Sequence, residues 1–351
     1  MLKKPFVWDF YSDQPSVITD KAYKKNMRKN FKFDYAKMAL LSLFILPLAT
    51  ICIKIFKGLQ KPAKSDFYGI GVNLDKGDEQ VWLVDELGVK NLLIRLPLWD
   101  MQNLDEYIKF ALKFKGKNIL IAIMQDRDNI ENLELFRENL RQIFTKFQGI
   151  ANEFQIGIAI NRLKWGFFAP CEYLNFYKTA QNLRDESFKS IKLIGPSVID
   201  FEFHHNVATL FSLKDVKFDK LSSLLYVDRR GDPKNSQYGI FDLKNKINLL
   251  FALVKFSPKT SNEIYITETN YPLKNTAPYA PTSEKECVSV HQYAHFMQEY
   301  HDIALKTGKI KRIYWHQLIA PGYGLVDNRD GKLVKMPQFY EYKKMINEDI
   351  Y

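Results

Sequence analysis

From residue 67 onward, short apolar runs alternate with stretches whose apolar positions recur every three or four residues. The runs cover 67–73, 91–98, 118–125, 153–161, 192–200, 220–228, 263–270 and 312–318. Their length and their richness in Ile, Leu, Val and Tyr predict buried strands. The intervening helical spacing is clearest at 79–87, 104–114, 132–147, 243–254 and 290–307, with a last helix at 338–347. Regular strand–helix alternation argues for a parallel sheet. Eight such units in about 280 residues fit a closed (β/α)8 barrel, an α/β fold of the TIM-barrel type, better than an open doubly wound sheet. No GxGxxG follows the first run, which speaks against a dinucleotide-binding fold.

The chain before the barrel has a different pattern. Residues 36–56 read AKMALLSLFILPLATICIKIF, with no charge between Lys37 and Lys54. Snorkelling of those two lysines extends the segment to bilayer length, and Pro47 is tolerated in a membrane helix. A cleaved signal sequence would not follow so long a polar stretch, and a core helix would be amphipathic rather than apolar all round. The pattern therefore predicts a basic tail (1–35), one transmembrane helix (36–56), a linker (57–65) and the barrel (66–351). More lysine and arginine precede the helix than follow it. That places the tail in the cytoplasm and the barrel in the periplasm or outside the cell, on a single-pass protein of the inner (plasma) membrane.

The formal net charge of +11 is spread along the chain and accompanies no nucleic-acid recognition motif. It suits contact with anionic lipid or acidic polysaccharide. The three cysteines, Cys52, Cys171 and Cys287, lack metal-site spacing and read as free thiols. His291 and His295 share a helix face, but Gln292 stands where a zinc protease needs glutamate. No metal or cofactor is expected.

The runs end in polar or aromatic residues: Asn73; Arg95 with Trp99 and Asp100; Gln125 with Asp126; Asn161 with Arg162; Asp200; Tyr226 with Asp228; Glu268 with Asn270; Trp315 with Gln317. A barrel carries its active site on that face. One polar residue after a strand is usually a turn former. Eight, rich in Trp, Tyr, Arg and carboxylate, describe a pocket for a polyhydroxylated ligand. The most informative run is Ile264-Tyr265-Ile266-Thr267-Glu268-Thr269-Asn270, an apolar strand that delivers one carboxylate to the pocket mouth.

In this order the residues resemble the (β/α)8 glycoside hydrolases of clan A, over roughly residues 66–345. The resemblance rests on Arg95 in the second run, Tyr226 in the sixth, Glu268 ending the seventh and Trp315 in the eighth. It implies that Glu268 is the nucleophile and that Trp315 forms part of the sugar-binding floor. It also implies Asn-Glu at the end of the fourth run, with the glutamate as acid/base. Here Arg162 follows Asn161, in the segment that continues to Trp165. Retaining hydrolysis needs two carboxyl groups about 5–5.5 Å apart, and an arginine cannot donate the proton at neutral pH. Arg162 is instead expected to pair with Glu268 and hold it ionised.

Three readings follow. The first is a glycosidase whose acid comes from Asp126, Glu172, Asp200, Glu202 or Asp228. The second is a glycan-binding protein without turnover, in a polysaccharide assembly machine. The third transfers sugar from a substrate with a good leaving group. In each, Asn161, Arg95, Trp99, Trp165, Tyr226, Asn270 and Trp315 line the sugar site, and Tyr279 and Tyr323 are candidate platforms on the loops of the active face. If Trp315 faces the pocket, strand alternation sends His316 toward the helices. The partners expected are a polysaccharide or glycolipid, and membrane lipid through the N-terminal helix; nucleic acid is not among them.

Overall fold

The computed structural model describes residues 2–347. Nine parallel strands form its sheet: β1 (Tyr68–Val72), β2 (Asn91–Pro97), β3 (Asn118–Met124), β4 (Glu153–Ile156), β5 (Lys192–Ile194), β6 (Val198–Ile199), β7 (Leu221–Leu224), β8 (Ile264–Ile266) and β9 (Arg312–Trp315). They pair in the order β5-β4-β3-β2-β1-β9-β8-β7-β6. β5 and β6 are the two halves of the fifth predicted strand. The break falls at Gly195-Pro196, where proline has no N–H to give a ladder. Both edges of the sheet therefore belong to one stretch of chain, β5 pairing with β4 and β6 with β7, and the ring closes as a (β/α)8 barrel.

Side chains alternate across the barrel wall, as the two-residue period of a strand requires. On β3, Ile119, Ile121 and Ile123 pack outward against helices, while Leu120 and Met124 point inward with Leu93, Leu224, Tyr265 and Tyr314. Space inside is tight at Gly69, where a Cβ would lie 2.7 Å from the Tyr314 ring. The same parity puts Arg95 inside, because Leu93 is inside.

The α-helices of seven residues or more are α1 (Lys21–Lys29), α2 (Lys32–Ile51), α3 (Gln80–Leu87), α4 (Leu104–Leu112), α5 (Leu133–Lys146), α6 (Pro170–Ser187), α7 (His204–Leu210), α8 (Leu243–Phe256), α9 (Val290–Thr307) and α10 (Pro337–Asn347). α9 begins with a capping box in which Ser289 and Gln292 satisfy each other's backbone N–H. α6, α1 and α7 were not anticipated from the pattern. α6 carries Tyr173, Phe176 and Tyr177 among polar residues, and its aromatic stripe is buried.

The basic N-terminal tail folds against the barrel. It forms a hairpin, with Trp8–Asp9 paired antiparallel to Gln14–Pro15, followed by α1. α2 then runs down the outside of the barrel against α7 and α8. Near its start, Asp34 accepts from the Cys171 N–H at 3.0 Å and the Tyr35 hydroxyl donates to the Phe168 carbonyl. Beyond its end, the Leu59 N–H donates to the Gly308 carbonyl at 2.8 Å. The span 32–54 is long and apolar enough to cross a membrane, with mean hydropathy 2.1, and it is 17% buried. Met38, Leu41, Ile45, Leu46 and Ala49 face the barrel, which accounts for one side of a helix that is apolar all round. Cys52, Cys171 and Cys287 are free thiols.

Candidate active site

Glu268 lies two residues beyond β8, where the chain leaves the sheet at the C-terminal rim. Both of its oxygens have a donor. Arg95 on β2 reaches Oε2 through Nη2 at 2.5 Å, and the Tyr226 hydroxyl reaches Oε1 at 2.7 Å. Arg95 and Glu268 are both largely shielded, with side chains 8% and 12% exposed. Burial alone would lower the Arg95 pKa; the Glu268 and Asp13 carboxylates more than offset it and hold the guanidinium charged. Burial, reinforced by the Glu268 charge, pushes the Tyr226 hydroxyl well above its ordinary value, so it remains a donor. The result is a carboxyl group fixed in place, with a cation on one oxygen and a hydroxyl on the other, the placement a nucleophile or a cation-stabilising group needs.

Arg95, Glu268, Tyr226, Arg162, Trp165, Asn270 and Tyr323 line one cavity. Asn270 accepts from Arg230 at 3.1 Å, and the Arg230 guanidinium lies 3.3 Å above the Tyr226 ring. Tyr323 accepts from Gln317 at 3.2 Å and stacks on His316. With Asp200, which also lines the cavity, eight of the sequence-selected residues converge on one side of the molecule.

The remaining candidates, and Arg162 within the cavity, are engaged differently from expectation, each for a local reason. Arg162 shares the cavity, but its guanidinium is taken by Asp200 at 2.5 Å and by Glu202; the cation paired with Glu268 is Arg95. Asn161 is a bracket, exchanging hydrogen bonds with the Ile199 backbone at 2.9 and 3.0 Å and donating to Glu202 at 2.7 Å. Asp126 caps the short helix Arg127–Glu131 by accepting from the Asn129 backbone at 2.8 Å, and does not line the cavity. Asp228 borders the neighbouring hollow, with Glu202, Lys246 and Arg230. Glu172 is bound to Arg127 at 2.8 Å and to the Phe168 N–H at 2.7 Å. Trp99 lines a separate cleft beside Trp8, and Tyr279 meets Tyr11 edge-on at 5.7 Å.

The assignment for the eighth strand is reversed. Tyr314 faces into the barrel, so Trp315 faces out, fully buried, with its indole N–H donating to Tyr293 at 2.8 Å. His316 is the residue that reaches the cavity. Burial first, then Arg95, Lys76 and Arg230, hold its pKa well below the ordinary histidine value, so the ring is neutral.

Three contributors escaped sequence reasoning. Arg230 follows the sixth run by a few residues and could have been found there. Lys164 sits two residues beyond Arg162; its ammonium donates to Gln14 at 2.7 Å, and no carboxylate lies within 4 Å of it among the described residues. Burial chiefly, helped by Arg162 and Arg230 against the opposing pull of Glu268, lowers its pKa to about 8. The third is the N-terminal hairpin, which lies over the mouth. Asp13 accepts from Gln317 at 3.1 Å, its carbonyl accepts from Arg95 at 3.4 Å, and Gln14 donates to the Pro281 carbonyl at 2.9 Å. Trp8 sits between Trp99 and Trp165, at 5.3 and 6.0 Å between ring centres. With Ser12, Asp13 and Gln14 in its wall, the cavity is about 160 Å³, below the ~300–1,000 Å³ of ordinary ligand sites. No local pattern announces this pairing, since the partners are about 300 residues apart in sequence.

Glu202, His204 and His205 bring their ligand atoms within 4.8 Å of one another. Both Glu202 oxygens already accept, from Arg162 and Asn161, and the Arg162 charge repels a cation there. The group is better read as a satisfied cluster beside the cavity.

No family model matches this chain, and no curated protein sequence does. Solved structures match it in fold. A β-glucosidase from Thermotoga maritima in complex with deoxynojirimycin superposes with TM-score 0.60 at 14% identity, covering 82% of this chain and 99% of the other. The GH53 catalytic domain of Ignisphaera aggregans gives 0.60 at 16%, covering 83% and 99%. A monomeric β-xylosidase from Caulobacter crescentus gives 0.60 at 13%, covering 81% and 69%. The fold is therefore the (β/α)8 barrel that these enzymes also have. At these identities the likeness concerns the fold, and the chemistry must be argued from the site.

Proposed function

We propose that this protein is a membrane-associated glycoside-processing barrel that acts on cell-surface polysaccharide or glycolipid, with Glu268 as nucleophile. The observation that carries this reading is the double clamp on Glu268 by Arg95 and Tyr226 at the rim of a barrel. The shared fold, and the iminosugar held by the matched β-glucosidase, favour a sugar as ligand. Lys164 takes the part of the missing acid. Its depressed pKa places proton donation within reach at neutral pH, and it lines the same cavity as Glu268. In the first step the glycosidic C–O bond breaks as Glu268 bonds to the anomeric carbon, and the Lys164 proton passes to the leaving oxygen. In the second, the neutral amine takes a proton from water as that water displaces Glu268. Asp13 is a poorer acid because the hairpin that carries it must move before a sugar can enter.

The test is a screen of the purified full-length protein against polysaccharide fragments, scoring cleavage and binding together. Turnover that disappears in Glu268→Gln, with binding retained, supports the reading; turnover that survives unchanged ends it. The second reading, a glycan-binding protein without turnover, is favoured by the way Arg162 occupies both Asp200 and Glu202. It expects no cleavage by any version, and weaker binding in Arg162→Ala.

A further inference from the structure

α2 has two apolar faces, and only one is accounted for by the barrel. Leu40, Leu43, Phe44, Leu48 and Ile51 form an outward stripe at helical spacing, continued by Ile55. They are exposed by 58, 68, 66, 51, 74 and 64%. A contiguous exposed stripe of this size marks an interaction surface rather than ordinary scatter. Cations border it. Lys21, Lys25, Arg28 and Lys29 are exposed on α1, Lys32 and Lys37 at the start of α2, and Lys54 and Lys57 beyond its end. An apolar stripe framed by lysine and arginine matches an anionic lipid surface, the acyl region receiving the stripe and the headgroups the cations.

The hairpin decides how that contact is made. Residues 8–15 are bonded into the barrel mouth through Asp13–Gln317 and Gln14–Lys164, so they lie on the barrel's side of any bilayer. A helix that crossed the bilayer would leave them on the opposite side. α2 also runs the height of the barrel against α7 and α8, so crossing would sink those helices in lipid.

We infer that α2 attaches the barrel sideways to an anionic leaflet, lying in the plane of the membrane without crossing it. This rests on the membrane part of the function proposed above and not on its catalysis. The outward stripe enters the upper acyl region, and the tail stays over the sugar site on the same side.

The experiment uses the full-length protein with vesicles of phosphatidylcholine alone and with phosphatidylglycerol added. Flotation with the mixed vesicles, at least tenfold weaker with phosphatidylcholine alone and lost in Leu43→Glu/Phe44→Glu, is the expected result. Both positions face solvent, so circular dichroism of the variant should match the wild type. Lys25→Glu/Arg28→Glu should weaken the same binding several-fold. An Asp13→Cys/Gln317→Cys pair should form a disulfide in the vesicle-bound protein, and alkaline carbonate should release the bound wild type. Failure to float with either vesicle overturns the membrane reading altogether. Binding that resists carbonate, with the two cysteines unable to pair, overturns the in-plane arrangement alone.

Discussion

The guanidinium of Arg95 and the carboxylate of Glu268 meet at 2.5 Å across 173 residues of sequence. β2 and β8 deliver them to the same rim from opposite sides of β1 and β9. Removing one partner leaves a shielded charge without its counter-ion, which typically costs about 3–5 kcal/mol. Arg95→Ala should therefore lower stability to urea by roughly that amount. Arg95→Ala/Glu268→Ala should cost clearly less than the two single changes added together. Strict additivity would show that the pair does not couple.

Lys164 should make stability and activity depend on pH in opposite senses. Its pKa of about 8 in the native state is below the 10.5 of a free lysine, so between those values the unfolded chain binds more protons. Its contribution to stability then rises as pH rises through this window, and below pH 8 its half-buried ammonium destabilises the fold. Lys164→Met should be more stable than wild type at pH 7, with the difference shrinking toward pH 10. Glycoside turnover, in contrast, should fall above pH 8 as the ammonium is lost, and the variant, without its acid, should turn over slowly at every pH and show no such limb. Urea midpoints of both proteins at pH 7 and pH 10 check the first half, and a pH–rate profile the second.

The hairpin competes with any ligand. Breaking the Trp8 contacts removes two aromatic pairs, each worth about 0.5–1.5 kcal/mol, and the hairpin-closed state reduces apparent affinity by the fraction of time the mouth is open. Trp8→Ala should then bind carbohydrate fragments roughly five- to tenfold more tightly and exchange the amides of residues 8–15 faster. Tighter closure or unchanged affinity would remove the hairpin from the binding pathway.

Trp315 should act on stability and not on binding. It is fully buried between β9 and α9, and truncating such a side chain costs about 3–5 kcal/mol. Trp315→Phe should lower the melting temperature and leave carbohydrate affinity within twofold, measured on protein that is still folded.

The barrel was legible because its wall is written locally. Each strand lies in a short, largely apolar run and most helices are amphipathic, and eight repetitions leave few ways to close. Glu268, Arg95 and Tyr226 were legible because a polar residue just past an apolar strand can only emerge at the rim. Asp126 was misread because the same position also caps a helix, and Asn129 three residues on satisfies it locally. Trp315 was misread because strand alternation gives a parity without saying which side is inside; that was set by Tyr314 filling the barrel against Gly69.

Sequence by itself determined the order of elements, the carboxylate at the end of the seventh run and the apolar character of α2, since each depends on neighbours a few positions away. Tertiary structure alone decided that Arg95 and not Arg162 holds Glu268, that Lys164 shares its cavity, and that residues 8–15 close the mouth. Those contacts join segments 150 to 304 residues apart, or choose among several cations near one rim. Local pattern carries no information about such a choice, because it is made by the packing of the closed ring.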